Sequence, residues 1–211
     1  MGVVAGILTP EEIQQTIRQA NRLSASANRT IQSNQFVFFA AFDGTNNDRN
    51  HLEMADDPQW TNVAQLEYQV RAANQGNKNV ASGYYKGPGT DGTLPGSSAL
   101  SWQVTQQVTN TALQAYNEFA SEAARWLRDT PSGSVTAAMV SFSRGGASAA
   151  IFSQLLYERG LVDPETGTVL IEPGNVGVSG AVIFEPVLTC VSGNMDFSPG
   201  TQNITVVRSM D

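Results

Sequence analysis

The sequence predicts an α/β fold in which helices cover both faces of a mostly parallel central sheet. Two observations favour it: strand-like runs alternate with segments of helical periodicity, and those runs are apolar almost throughout, as in strands buried on both faces. Alternating strands and helices favour parallel pairing because each connecting helix packs back onto the sheet. With 211 residues, 41% of them hydrophobic, a single domain spanning residues 1–211 is expected.

The first predicted elements are a helix and a buried strand. Residues 9–12, TPEE, carry a capping Thr, a Pro at the first helical position and a Glu three residues after the cap, so a helix is expected over about 10–28. Residues 35–42, QFVFFAAF, form a nearly continuous apolar run that is typical of a buried strand. A dense cluster of turn-forming residues ends this strand at 43–48.

The middle of the chain predicts two helices separated by a strand and a loop. Apolar residues at helical spacing indicate a helix over 61–73, and a strand is expected near 80–85. Glycine and proline are frequent over 87–98, which predicts a loop. The most regular apolar stripe in the sequence then predicts a long helix from 99 to about 128.

The last third of the sequence predicts the remaining strands. A buried strand is expected over 135–142, followed at once by a helix rich in small residues over 145–159. Turn formers recur over 161–180, which indicates a loop or hairpin outside the regular alternation. Two further strands are expected at 181–188 and 203–208.

Charge and composition exclude several classes of function. A formal net charge of −7 repels a phosphate backbone, so no nucleic-acid partner is expected. Cys190 is the only cysteine and His51 the only histidine, so neither an internal disulfide nor a zinc cluster is expected, and no cofactor or metal is predicted. The sequence shows no signal peptide and no run of about 18 apolar residues, which predicts a soluble chain.

The segment VSFSRGGA, residues 140–147, indicates a nucleophile elbow. A buried strand runs here directly into a glycine-rich helix start, and an elbow serine needs small residues two positions before and after it. Ser141 and Gly145 are the small neighbours of Ser143, although the usual first glycine of the pattern is a serine here. The sequence therefore predicts that Ser143 is the nucleophile of a serine hydrolase with an α/β-hydrolase-like fold. The alternative is that Ser143 only caps the following helix.

An oxyanion hole is expected from two backbone segments. The N–H of Arg144, directly after the nucleophile, is one predicted donor, and a loop after an earlier strand supplies the second in this kind of site. Gly44 and Thr45 occupy such a loop, with Gly44 allowing close approach of the backbone and Asp43 supporting it. The alternative interpretation is a polar tight turn without a catalytic role.

The sequence offers a candidate for the acid of a catalytic triad but none for its base. Glu185 ends an apolar strand and is the predicted acid, and Asp196 is the reserve candidate. The alternative interpretation of Glu185 is a structural carboxylate paired with an arginine. No histidine follows Ser143, and His51 is interpreted as a solvated loop residue. The base therefore lies beyond Asp211 or on another chain, or the chemistry is of a different type.

Several segments resemble one family. The sequence is similar to the lipase effectors of bacterial type VI secretion and to a broader set of bacterial α/β-hydrolases. The family usually has GFSRGA at the elbow, so this chain departs from it at Ser141 and Gly146, and it usually has Asp where this chain has Glu185. The matching segments are FDGTNND at 42–48, YYKGPGT at 84–90, SFSRGG at 141–146 and FEPV at 184–187.

The resemblance implies hydrolysis of phospholipid ester bonds in a rival cell's membrane, with Ser143 as nucleophile and Glu185 as acid. It implies a protein that resides in the bacterial cytoplasm and is then delivered without a signal peptide. An immunity protein or a component of the secretion machine would be its partner. In the family the histidine comes from a later glycine-rich segment, so the resemblance implies the N-terminal portion of a longer enzyme or a truncated relative. A separate option is that another chain supplies the histidine, as in a cleaved enzyme whose halves remain associated; the last strand would then pair with the missing portion, because an unpaired apolar edge favours association.

Other interpretations of the motifs are weaker. A phosphatase of the haloacid dehalogenase type needs an aspartate at the position of Ala41, and the glycine-rich run 87–92 lacks a phosphate-loop pattern. Asp43, Asn47 and Asp48 could hold calcium, but their spacing is not that of an EF-hand. The remaining alternative is a catalytically incomplete hydrolase-like scaffold that serves as a binding or structural module.

Overall fold

A computed structural model describes residues 34–52, 59–90, 101–189 and 191–209. Three predicted features lie outside these ranges: the helix expected over 10–28, residues 91–98 of the predicted loop, and Cys190. Within these ranges the helices are α1 (Asn62–Ala73), α2 (Ser101–Asp129) and α3 (Gly145–Arg159). The strands are β1 (Gln35–Phe42), β2 (Val80–Tyr85), β3 (Ser134–Phe142), β4 (Leu161–Val162), β5 (Val169–Ile171), β6 (Val178–Phe184) and β7 (Ile204–Val207).

Five of these strands form one parallel sheet in the order β2-β1-β3-β6-β7. Side chains alternate between the two faces of a strand, and β1 shows which helix covers each face. Phe38 and Phe42 belong to the core formed with α2 and α3, where Phe38 meets Phe119 edge to face at 5.9 Å. Ala41, on the opposite face, packs with Val63 of α1. The structure thus confirms an α/β fold with a parallel sheet and helices on both faces.

Most predicted elements lie where the sequence placed them. The strands at 35–42 and 80–85 and the helix at 145–159 agree with the structure, and the excursion after α3 is an antiparallel hairpin of β4 and β5. The prediction for β6 is wrong at both ends, because the strand spans Val178–Phe184 rather than 181–188. It ends there because Glu185 adopts a left-handed conformation, with φ at +43°.

The strand order fixes where a site can form. The first strand, β1, lies between β2 and β3, so the connections that leave β1 and β3 diverge at the carboxyl end of the sheet. Crevices at such switch points are where open parallel sheets bind ligands. The loops after β1, β3 and β6 meet at this end. Among the described helices, none has the length and apolarity to cross a membrane.

Candidate active site

Ser143 lies on a strained turn between β3 and α3. Its φ is +52°, in the left-handed region that non-glycine residues rarely occupy. Its amide donates to the Phe184 carbonyl at 3.0 Å, and its carbonyl accepts from the amides of Gly146 at 3.1 Å and Val187 at 3.3 Å. The side chain is half-buried, and its hydroxyl has no hydrogen-bond partner among the described residues. The backbone of the turn is therefore held from both sides while the hydroxyl stays unengaged.

Two glycines allow the loop after β1 to approach this turn. A Cβ on Gly44 would lie 2.5 Å from Cδ1 of Phe142 and 3.1 Å from Cβ of Ser143. A Cβ on Gly145 would lie 2.4 Å from the Phe42 carbonyl oxygen. Distances of 2.5 Å and 2.4 Å are shorter than real Cβ contacts, so a side chain at Gly44 would displace Phe142 and one at Gly145 would displace the backbone of β1. The close approach expected of Gly44 is present.

Of the predicted oxyanion-hole residues, Thr45 and Arg144 have unused amides. The Gly44 amide donates to Oδ1 of Asp43 at 2.9 Å, so it is not available to a substrate oxygen. Neither the Thr45 amide nor the Arg144 amide donates to any acceptor within the described ranges. The Arg144 side chain also donates through Nη1 to Oγ1 of Thr45 at 3.0 Å. Of the three predicted oxyanion-hole residues, the structure leaves two with unused N–H groups.

The buried carboxylate of Asp43 holds the loop after β1 through several hydrogen bonds. Its side chain is buried and accepts hydrogen bonds from the Tyr84 hydroxyl at 2.7 Å, from Oγ1 of Thr61 at 2.9 Å and from the Gly44 amide. Its own amide donates to the Tyr85 carbonyl at 2.9 Å. Burial raises the pKa of Asp43, an effect that outweighs the three hydrogen bonds that lower it. The Asp43 side chain thus ties the loop after β1 to Tyr84 and Thr61.

Tyr84 extends this anchor to α1, a role that no sequence pattern indicated. Its hydroxyl also accepts the Arg49 amide at 3.0 Å, and the Arg49 guanidinium lies 4.3 Å from the centre of its ring. Arg49 forms an ion pair with the buried Glu67 of α1, which in turn accepts from the Ser82 hydroxyl at 2.8 Å. Burial, with the carboxylate of Asp43 beside it, raises the pKa of the Tyr84 hydroxyl well above its usual range. The loop after β1 therefore rests on a continuous buried polar network.

Glu185 follows Phe184, the residue that bonds to the elbow, but its carboxylate is already engaged. Its amide donates to the Val207 carbonyl at 2.9 Å, and Oε1 accepts the Ser209 amide. No described arginine forms an ion pair with it, which disfavours the structural-pair interpretation, and Oε2 has no donor among the described residues. The carboxylate is held at the end of β7 with one oxygen open, an arrangement that could orient a base.

Among the described residues, no hydrogen bond joins the Ser143 turn to His51 or to Asp196, the reserve acid. His51 is exposed, with Nδ1 at 3.1 Å from Oδ2 of Asp48, and lines a pocket of about 540 Å³ whose lining does not include Ser143. The backbone carbonyl of Asp196 accepts from Gln154, in the third turn of α3, whereas Ser143 precedes the first turn. Within the described part of the chain, no group of three or more His, Cys, Asp or Glu residues could hold a metal ion.

No family model matches the sequence, and no curated protein matches it. Among solved structures, the chain is similar to a crystal structure described as an uncharacterized protein from Pseudomonas aeruginosa. The TM-score is 0.41 and the sequence identity 14%, and the match covers 85% of this chain. Since it covers 33% of the other chain, this protein spans about a third of that length.

Proposed function

We propose that this protein is a serine hydrolase of the α/β-hydrolase type that cleaves carboxylic esters through Ser143. One observation carries the proposal: Ser143 occupies a left-handed turn with an unengaged hydroxyl, beside the unused amides of Arg144 and Thr45. A nucleophilic hydroxyl next to two preorganised N–H donors is what acyl transfer requires. The resemblance in four sequence segments extends the proposal to phospholipid esters and to an antibacterial effector of type VI secretion.

The proposed reaction has two steps. Oγ of Ser143 bonds to the ester carbonyl carbon, and the N–H groups of Arg144 and Thr45 stabilise the resulting oxyanion. The ester C–O bond then breaks, the alcohol leaves with a proton, and water hydrolyses the acyl-serine. A base must accept the proton of Oγ and return it to the alcohol. Glu185 would orient that base through its open oxygen.

The base is the group that these residues do not provide. His51 is paired with Asp48, and no histidine follows Ser143 in the sequence. By the resemblance, a later segment or another chain supplies an imidazole. This feature also favours the second candidate function, a hydrolase-like scaffold that binds a partner without catalysis. Removal of one triad member typically leaves about 10³ to 10⁴-fold acceleration over water, so the chain alone would react slowly.

Labelling with a fluorophosphonate probe, with and without added imidazole, separates the two functions. We expect slow labelling of Ser143 that imidazole accelerates, because the added base replaces the missing one. Ser143→Ala should abolish labelling, whereas Ser121→Ala, at a half-buried serine of α2 whose hydroxyl donates to the Asn117 carbonyl, should leave it unchanged. A chain extended past Asp211 that carries the expected histidine should label rapidly without imidazole. Absence of labelling under all these conditions would establish the scaffold instead.

A further inference from the structure

The Arg144 side chain joins the two loops that flank the elbow. Its Nη1 donates to Oγ1 of Thr45, in the loop after β1, at 3.0 Å. Its Nε donates to the Thr189 carbonyl at 3.0 Å, and its Nη2 donates to Oγ1 of Thr189 at 3.3 Å. Thr189 lies four residues after Glu185, in the loop after β6. One guanidinium thus bonds to both loops from the residue that directly follows Ser143.

The chemistry of the guanidinium suits this arrangement. It is planar and always charged, and its donors point in fixed directions, so three acceptors on two segments are held in one geometry. Among the described residues, Arg144 has no carboxylate partner, so no ion pair competes for these donors. Hydrogen bonds from a charged donor are stronger than those between neutral groups. The contacts of Arg144 are therefore directed at the two loops.

We propose that Arg144 is a positioning residue whose guanidinium fixes the Thr45 amide relative to the Ser143 hydroxyl. The inference rests on the proposed function, since it concerns the same oxyanion hole. Within its own loop, Thr45 is held by Asn47, whose amide donates to the Gly44 carbonyl and whose Nδ2 donates to the Thr45 carbonyl, both at 3.0 Å. The Arg144 bond to Oγ1 links Thr45 to the residue that follows Ser143. Loss of this bond would remove that link, so we expect the Thr45 amide to shift relative to the Ser143 hydroxyl. A displacement of about 1 Å at a reacting centre can cost roughly a hundredfold in rate.

The test measures two constants for the fluorophosphonate reaction in the presence of imidazole. The probe first binds reversibly; Oγ of Ser143 then bonds to phosphorus, fluoride leaves, and the serine proton goes to imidazole. For Arg144→Gln we expect the maximal rate of bond formation to fall about tenfold or more, because the phosphoryl oxygen occupies the oxyanion hole. The half-saturating probe concentration should stay within about twofold. Arg144→Lys keeps the charge but loses the planar set of donors, so its maximal rate should lie between those of wild type and Arg144→Gln.

Three further variants separate positioning from folding. Thr45→Val removes the Oγ1 acceptor and keeps the amide, so it should reproduce the loss of rate, and combining it with Arg144→Gln should add little. Thr189→Val removes one of the three bonds and should have a smaller effect. Arg125→Gln is the matched control: Arg125 is exposed on α2 and, within the described ranges, forms its ion pair with Glu122, so the rate should not change.

The outcomes distinguish the two proposals. An unlabelled wild-type chain would overturn the proposed function and this inference together. Normal labelling of Arg144→Gln and Thr45→Val, at the wild-type maximal rate, would overturn the inference and leave Ser143 as the nucleophile. A loss of rate in Thr45→Val, with an unchanged urea midpoint and unchanged probe affinity, would support the inference even if Arg144→Gln failed to fold.

Discussion

The loop after β1 and the loop after β6 both contact the Ser143 turn, but they are held in different ways. The first rests on the buried carboxylate of Asp43 and on Gly87, whose added Cβ would lie 1.6 Å from the Gly44 carbonyl oxygen. In the second, Leu188 and Thr189 are exposed, and one amide hydrogen bond, from Val187 to the Ser143 carbonyl, reaches the turn directly. The loop after β1 is thus fixed by burial and the loop after β6 by a few exposed bonds.

This difference indicates a division of roles under the proposed function. Donors of an oxyanion hole must be fixed before the reaction. The buried carboxylate of Asp43 holds the loop after β1, and the Arg144 bond to Oγ1 of Thr45 joins that loop to the Ser143 turn. The bonds from Arg144 to Thr189 in the loop after β6 are exposed, and exposed hydrogen bonds contribute little net stability. The two loops should therefore respond very differently to equivalent substitutions.

Matched glycine substitutions should show the largest contrast. Gly87→Ala places a methyl group inside the Gly44 backbone, which cannot move without disturbing Asp43, so we expect a loss of about 3 kcal/mol or more in unfolding free energy. Gly146→Ala, near Pro186 on the β6 side, meets its nearest atom at 3.6 Å, so we expect a change below about 1 kcal/mol. Urea unfolding measures both. Equal effects would contradict the comparison.

Carboxylate removal should give the next largest contrast. Asp43→Ala leaves the donors of Tyr84, Thr61 and Gly44 without their acceptor in a buried site, so we expect a loss of about 2 to 3 kcal/mol. Glu185→Ala removes a carboxylate that is half-buried, so the loss should stay below about 1 kcal/mol. Chemical denaturation of the two variants against wild type tests this. A larger loss of unfolding free energy in Glu185→Ala than in Asp43→Ala would contradict the conclusion that the loop after β1 is the more firmly held of the two.

The pH dependence of stability should reveal the buried carboxyl group. Because burial raises the pKa of Asp43, its protonated form is favoured in the folded state. Its contribution to stability is present below the unfolded pKa of about 3.9 and is lost as pH rises through the raised folded value. The stability of wild type relative to Asp43→Asn should therefore decline as pH rises from about 4 and then level off. A difference that is constant over this range would contradict the raised pKa.

Substitution of Ser141, on β3, should change the unfolding free energy least, and it should stabilise the protein rather than destabilise it. Its hydroxyl is buried and has no hydrogen-bond partner among the described residues. Ser141→Ala removes this unsatisfied group without adding volume, so we expect the unfolding free energy to rise by about 1 kcal/mol. Thermal and urea unfolding would measure the gain. Destabilisation would show that the hydroxyl has a partner, and the control Ser121→Ala on α2 should change stability by less than about 0.5 kcal/mol.

The fold and part of the site follow from the sequence, because their signals are local. Apolar runs and helical spacing predicted β1, β3 and α3, and the strand-to-helix junction pointed to Ser143. The close-approach role of Gly44 was also predictable, since a glycine in a turn after a buried strand commonly lets another backbone segment come near. Hydrolysis, its lipid substrate and its delivery stay predictions.

Tertiary structure alone decided which polar groups are already engaged. The Gly44 amide is taken by Asp43, Tyr84 reaches Asp43 across 41 positions, and Arg144 reaches Thr45 across 99. It also decided that β6 ends at Phe184, where the chain turns towards the elbow. Periodicity and turn chemistry act between near neighbours in sequence, whereas these hydrogen bonds depend on which strand ends the sheet brings together. The sequence thus indicated the strand-to-helix turn at Ser143, and the packed sheet determined which polar groups around it have no partner among the described residues.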